Sequence, residues 1–124
     1  MEQAFDMVVL PGGLPGSDHF DKDSRIRELL KRTAEQGGFV AAICAAPKVL
    51  AHAGLLNGKR ATCYPGVLGR MDFPLVGIKD LPVVVDGLVI TGRGPGTAMD
   101  FALQLVESLV GRDMRDEVEE GLVR

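Results

Sequence analysis

Phe39-Val40-Ala41-Ala42-Ile43-Cys44-Ala45-Ala46-Pro47-Lys48-Val49-Leu50 is the stretch on which the fold turns. Its first five residues form an unbroken apolar run, the pattern of a strand buried on both faces. No turn residues separate that strand from the next segment. Cys44, Ala45 and Ala46 are small, and Pro47 stands where proline suits the first turn of a helix. The pattern predicts a strand feeding directly into a helix N-terminus, with Cys44 at the junction. Gly37-Gly38, just upstream, stop an earlier helix that starts near Ser24 and repeats Ile26, Leu29, Leu30 and Thr33 at i, i+3, i+4, i+7 spacing.

Working outward, Phe5-Asp6-Met7-Val8-Val9-Leu10 reads as another buried parallel strand, ended by Pro11-Gly12-Gly13. Downstream, Arg60-Ala61-Thr62-Cys63 is a short third strand. Residues 64–82, with three prolines and several glycines, read as a loop with a helical turn around Leu68. Val83-Val84-Val85 and Leu88-Val89-Ile90-Thr91 flank Asp86-Gly87, a strong hairpin signal. Thr97 is expected to cap a helix carrying Met99, Ala102, Leu103, Val106, Leu109 and Val110, with Asp100 completing a capping-box-like pattern and Gly111 ending it. Residues 113–120 read as a short, charged last helix. Strands alternating with helices indicate an α/β fold: a mostly parallel sheet covered on both faces.

Composition narrows the function. The 124 residues suit one domain, 1–124, and are too few for two. With 46% hydrophobic and 25% charged residues and a formal net charge of -3, the chain has the balance of an ordinary soluble domain. Its mixed charges give no basic surface for nucleic acid and no polybasic patch for a membrane. No apolar run reaches the length of a membrane span, and the start at Met1-Glu2-Gln3-Ala4 lacks a signal peptide's features, so the expected location is the cytoplasm. Cys44 and Cys63 form neither a CxxC nor a zinc pattern and read as two free thiols.

The chemistry centres on Cys44. A cysteine at a tight strand-to-helix junction is pushed out of the sheet as in a nucleophile elbow, and a helix N-terminus favours the thiolate. The backbone N–H of Ala45 could bind an oxyanion, and Gly12 and Gly13 end a strand at the same sheet edge, where open α/β sheets bind ligands. Gly13 could offer a second N–H. Position alone leaves two readings open, since a buried inert cysteine is common. The small residues beside Cys44 leave room for a ligand and favour the reactive one. Arg93-Gly94-Pro95-Gly96-Thr97 lies at the same edge. There Arg93 could hold an anion, although a plain loop with a solvated arginine fits its spacing better. His19 and His52 read as a surface histidine and a helix-end histidine, with no chemistry assigned. No His and carboxylate cluster suggests a metal site.

Taken together, Val8-Val9-Leu10-Pro11-Gly12-Gly13, Ala41-Ala42-Ile43-Cys44-Ala45-Ala46-Pro47 and Arg93-Gly94-Pro95-Gly96-Thr97 resemble the ThiJ/PfpI (DJ-one) superfamily, especially its DJ-one and YajL-like branch. The resemblance spans nearly the whole chain. It implies a flavodoxin-like, class I glutamine amidotransferase-like three-layer sandwich, usually homodimeric. It further implies an oxidisable Cys44, a pocket bordered by the backbones of Gly13 and Ala45, and lining by Gly12, Tyr64, Arg93 and Pro95. Family activities include redox-responsive chaperones, glyoxalases that need no added cofactor, deglycases of methylglyoxal-modified groups and, in one branch, intracellular cysteine peptidases. The expected substrate is thus a small aldehyde or glycated group, with no cofactor and no metal.

Two departures shape that expectation. Peptidase-like members carry a histidine soon after the third strand, and the DJ-one protein has one at the position matching Tyr64. Here the run is Thr62-Cys63-Tyr64-Pro65, as in the YajL-like branch, which also has an aromatic there. Members also carry a glutamate that hydrogen-bonds the cysteine, on an N-terminal strand-helix-strand portion that nothing in this chain matches. The expectation is therefore a domain truncated at its N-terminus, catalytically impaired alone, and either oligomeric or dependent on a separate N-terminal piece.

Overall fold

A computed structural model describes residues 6–11, 23–69 and 73–122. Strands β1 (Met7–Leu10), β2 (Phe39–Ile43), β6 (Val89–Gly92) and β5 (Val83–Asp86) lie side by side in the order β1-β2-β6-β5. β1, β2 and β6 run parallel, with Met7 opposite Phe39 and Val40 opposite Val89. β5 runs antiparallel to β6, as the hairpin signal at Asp86-Gly87 requires, and Gly87 takes the positive φ of 61° that such a turn needs. A second, two-stranded parallel sheet joins β3 (Arg60–Ala61) to β4 (Gly77–Ile78).

The alternation along β2 builds the layers. Val40 and Ala42 face a core that contains Leu30, Val49, Leu50 and Leu56, beneath α1 (Ser24–Glu35) and α2 (Pro47–His52). Phe39, Ala41 and Ile43 face the other way, toward Ile90, Phe101 and Leu105, beneath α3 (Ala98–Val110). A sheet buried on both faces in this way is the α/β sandwich expected from the continuous apolar run. α4 (Arg112–Leu122) packs on α3, where Arg115 pairs with Glu107 at 3.8 Å.

Several local expectations are corrected. α2 begins at Pro47, with Ala46 as its N-cap, so Cys44-Ala45-Ala46 form a turn ahead of the helix instead of its first residues. β3 stops at Ala61. Thr62 leaves the ladder because its N–H donates to the Thr91 hydroxyl at 2.9 Å and its own hydroxyl donates to the Leu81 carbonyl at 2.8 Å. Residues 64–82, expected as loop, contain β4. Thr97 does not cap α3 with its side chain. A 3₁₀ turn, Pro95–Thr97, precedes the helix, and the Thr97 hydroxyl turns back to donate to the Gly94 carbonyl at 3.0 Å. The cap of α1 is Asp23, a residue to which the sequence pattern assigns no role; it accepts from the Arg25 N–H at 2.9 Å.

One glycine fixes how closely α3 approaches the sheet. A Cβ on Gly92 would stand 2.8 Å from Phe101 Cδ1 and 2.9 Å from Ile43 Cγ1, both shorter than real carbon contacts. Only glycine lets Phe101 lie this close to the end of β6.

Candidate functional site

Cys44 is the one non-glycine with positive φ among the described residues, at 66°. Left-handed backbone costs a non-glycine residue about 1–2 kcal/mol, so it persists only where neighbours over-determine it. Two do so here. The Cys44 N–H donates to the Gly92 carbonyl at 3.0 Å, and its carbonyl accepts from the Tyr64 N–H at 2.8 Å. The peptide units on either side of Cys44 are thus tied to the end of β6 and to the segment after β3. The Ala46 N–H donates to the Ile43 carbonyl at 3.1 Å and closes the turn. Three residues, Cys44 to Ala46, join the end of the buried strand at Ile43 to the helix start at Pro47. Cys44→Gly should therefore be more stable than Cys44→Ala by about 1 kcal/mol, the strain relieved less the added chain entropy. Urea unfolding of the two variants measures the difference, and equal midpoints would contradict it.

Cys44 is partly exposed and Cys63 is buried; both are free thiols. Burial pushes the Cys63 thiol above the ordinary cysteine range, against opposing pulls from the Leu68 N–H, the Arg93 charge and the Val67 N–H. The structure brings Tyr64 beside Cys44 and Gly94 against Tyr64. The Tyr64 peptide bonds to Cys44, and its half-exposed ring lies where a Cβ on Gly94 would come 3.6 Å from Cδ2. Pro95 follows, exposed, at the start of the 3₁₀ turn. Ala45 is buried directly after Cys44. Arg93, expected to line the Cys44 pocket, pairs with Asp80 at 3.1 Å and shares a cavity of about 280 Å³ with Cys63, Pro65, Gly66 and Leu68. Gly12, Gly13 and His19 lie outside the described residues. His52 stacks at an angle on Phe73, ring centroids 5.2 Å apart. Among the described residues, no group of three or more His, Cys, Asp or Glu side chains is placed to hold a metal ion. A cavity of about 450 Å³ runs along α1 past Asp23, Ile26 and Arg32 and shares no lining residue with the cysteine turn.

Sequence reasoning missed Gly92 and Asp80. Gly92 holds the Cys44 amide through its carbonyl, which leaves no trace in residue type; its register opposite Ile43 carries the only signal.

The strands and helices that frame this turn have counterparts in known proteins. Residues 1–108 match the DJ-1/PfpI family. The chain belongs to that family. It is 46% identical over 119 residues to protein dj-1beta of Drosophila melanogaster, covering 96% of this chain and 64% of that protein. A Caenorhabditis elegans relative named glutathione-independent glyoxalase DJR-1.2 is 41% identical over 109 residues, covering 88% of this chain and 58% of its own length. Among solved structures, Drosophila DJ-1beta superposes with a TM-score of 0.89 at 45% identity, covering 96% of this chain and 64% of that one. A mutant of a DJ-1 superfamily protein from Salmonella typhimurium gives 0.88 at 33% identity, covering 98% and 65%. The flavodoxin-like α/β fold and the family are those expected from the motifs. This DJ-1/PfpI chain spans slightly less than two thirds of the length of these relatives. Among its described residues no helix is long and apolar enough to cross a membrane.

Proposed function

We propose that this is a stress-response protein of the DJ-1 type that acts on reactive aldehydes through Cys44. The observation that carries the reading is the left-handed backbone of Cys44, held by Gly92 and Tyr64 on a partly exposed thiol. Residues held in sparsely populated backbone conformations cluster at active sites and ligand clamps. The relative named as a glyoxalase supports the substrate class.

The Cys44 thiolate adds to the aldehyde carbon and forms a carbon–sulfur bond, and the carbonyl electrons move to oxygen. The Ala45 N–H stabilises the resulting oxyanion, and the family resemblance gives Gly13, outside the described residues, the part of second donor. Pro95 and the Tyr64 ring bound the substrate, while Arg93, engaged with Asp80, stands to the Cys63 side. A general acid then protonates the oxygen, a role that the family's N-terminal glutamate fills. Methylglyoxal consumption by the purified chain tests the reading: a low rate abolished by Cys44→Ala and unchanged by Cys63→Ser is expected. A rate indifferent to Cys44 would end it.

A second reading, a redox sensor or chaperone, draws on the contrast between the two thiols. Peroxide reaches a part-exposed thiol before one that is 3% exposed. Mild peroxide followed by peptide mass spectrometry should find oxygen first at Cys44, and preferential oxidation at Cys63 would reject this order. A peptidase reading gains nothing from the site, because Tyr64 offers no imidazole to activate Cys44. Casein hydrolysis should stay at background; robust cleavage lost on Cys44→Ala would overturn that.

A further inference from the structure

We propose that Cys63 is the resolving thiol for Cys44, so that oxidised Cys44 closes a reversible disulfide with Cys63 inside one chain. The inference rests on the reading of Cys44 as the first thiol to be oxidised.

The backbone already brings the two residues within reach. Tyr64, the residue after Cys63, donates its N–H to the Cys44 carbonyl at 2.8 Å. In standard geometry a Cα lies about 2.4 Å from its own carbonyl oxygen, and about 2.4 Å from the next residue's nitrogen. Those two lengths and the hydrogen bond, laid end to end, limit the Cys44–Cys63 Cα separation to about 7.6 Å, and any bend shortens it. Disulfides span about 4.4–6.8 Å between Cα atoms. The ceiling stands only about 0.8 Å above that span, so a modest bend along this path brings the pair into range. Cys63 also sits outside the ladder: β3 ends at Ala61, and a turn closed by the Val67 N–H on the Tyr64 carbonyl follows. A shift of its backbone therefore breaks no strand pairing.

The two thiols have complementary surroundings. Cys44 is open to a small oxidant, whereas Cys63 is buried. The charge on Cys44 is felt at the Cys63 sulfur, where it opposes ionisation. Burial opposes ionisation of Cys63, while the Leu68 and Val67 amides and the Arg93 guanidinium favour it. Those are the groups that would hold a thiolate as it forms. Cys63 is thus shielded from direct oxidation and still able to attack.

The chemistry balances with hydrogen peroxide as oxidant. The Cys44 thiolate takes one peroxide oxygen, giving sulfenic acid and releasing the other as water once protonated. The Cys63 sulfur attacks the sulfenic sulfur; the S–S bond forms, the S–O bond breaks, and the departing hydroxide takes the Cys63 proton and leaves as water. Two electrons and two protons from a dithiol restore both thiols. The reaction diverts Cys44 from the irreversible sulfinic acid.

The test treats the intact 124-residue chain with limiting hydrogen peroxide, blocks remaining thiols with N-ethylmaleimide, and combines intact mass, a non-reducing gel and tryptic mapping. Cleavage after Lys48 and Arg60 places the cysteines on separate peptides. Expected are a monomer about 2 Da lighter than the reduced chain, a Cys44–Cys63 linked peptide pair, and loss of both on dithiothreitol. Cys63→Ser should accumulate Cys44 sulfinic acid about tenfold faster at the same peroxide dose. The wild-type measurement needs no variant to fold. Sulfinic acid at Cys44 in the wild type without a cross-link, or disulfides only between chains, would overturn the inference and leave Cys44 as the oxidised thiol. Absence of any oxidation at Cys44 would overturn both the inference and the reading beneath it.

Discussion

Fusing a family-type N-terminal strand-helix-strand segment ahead of Met1 should raise Cys44-dependent methylglyoxal turnover by about 10²–10⁴-fold, the usual contribution of a positioned general acid/base. Two structural facts motivate this. β1 pairs with β2 on one side, and among the described residues no strand pairs with its other edge. Val9, on that strand, is 41% exposed although its neighbours Val8 and Leu10 pack into the core. A parallel strand with an open edge and a bare apolar face invites a partner. Asp80, on the Cys63–Arg93 cavity, is engaged with Arg93 at 3.1 Å, and Asp86, at the far end of the β5–β6 hairpin, accepts from the Arg60 N–H at 2.9 Å. The latter bond holds the Asp86 carboxyl below its ordinary range. The fusion should act on two readouts together. Sedimentation should change from a self-associating to a defined species as turnover rises. A glutamine in place of the segment's glutamate should keep the first gain and lose the second. Full turnover by the unfused chain as a stable monomer would contradict this expectation.

Gly92→Ala should destabilise the fold by about 2–3 kcal/mol, at the upper end of what overpacking costs. The added methyl would meet Phe101 at 2.8 Å and Ile43 at 2.9 Å. Neither can yield easily: Phe101 is 5% exposed on the inner face of α3, and Ile43 ends β2 beside the cysteine. The damage should also reach the site, because the Gly92 carbonyl holds the Cys44 N–H. Urea unfolding measures the first effect, and the rate of Cys44 alkylation the second. In a Phe101→Leu background, which empties the space the methyl needs, Gly92→Ala should cost at least about 1 kcal/mol less. A cost as large in both backgrounds would show that Phe101 is not what Gly92 accommodates.

The parts of this fold that could be read from the residues share one property: their pattern is set locally. Phe39–Ile43 is continuously apolar because helices cover both its faces, and Asp86-Gly87 needs positive φ at Gly87 whatever surrounds it. β4 could not be read. Two residues, Gly77 and Ile78, carry no strand period; they pair because the Lys59 and Ala61 carbonyls accept the Gly77 and Lys79 N–H groups, at 2.8 Å each. Thr97 fits a capping rule by spacing but has a competing acceptor, the Gly94 carbonyl, three residues back. At the site, Cys44 was legible from its junction and Tyr64 from what it replaces. The course of Arg93 was not, because Asp80 comes from a loop whose path only tertiary contacts decide.

The two hydrogen bonds on Cys44 make its geometry observable without touching sulfur. Both are amide protons: one on Cys44, bound to Gly92, the other on Tyr64, bound to Cys44. If the left-handed turn opens as a unit, both protons become available to solvent in the same event and should exchange for deuterium with the same free energy of opening. Fraying of the Tyr64–Val67 turn alone would release the second and spare the first. The ratio of the two exchange rates thus separates a turn that relaxes whole from one that loosens from the Tyr64 side, the side on which Cys63 lies.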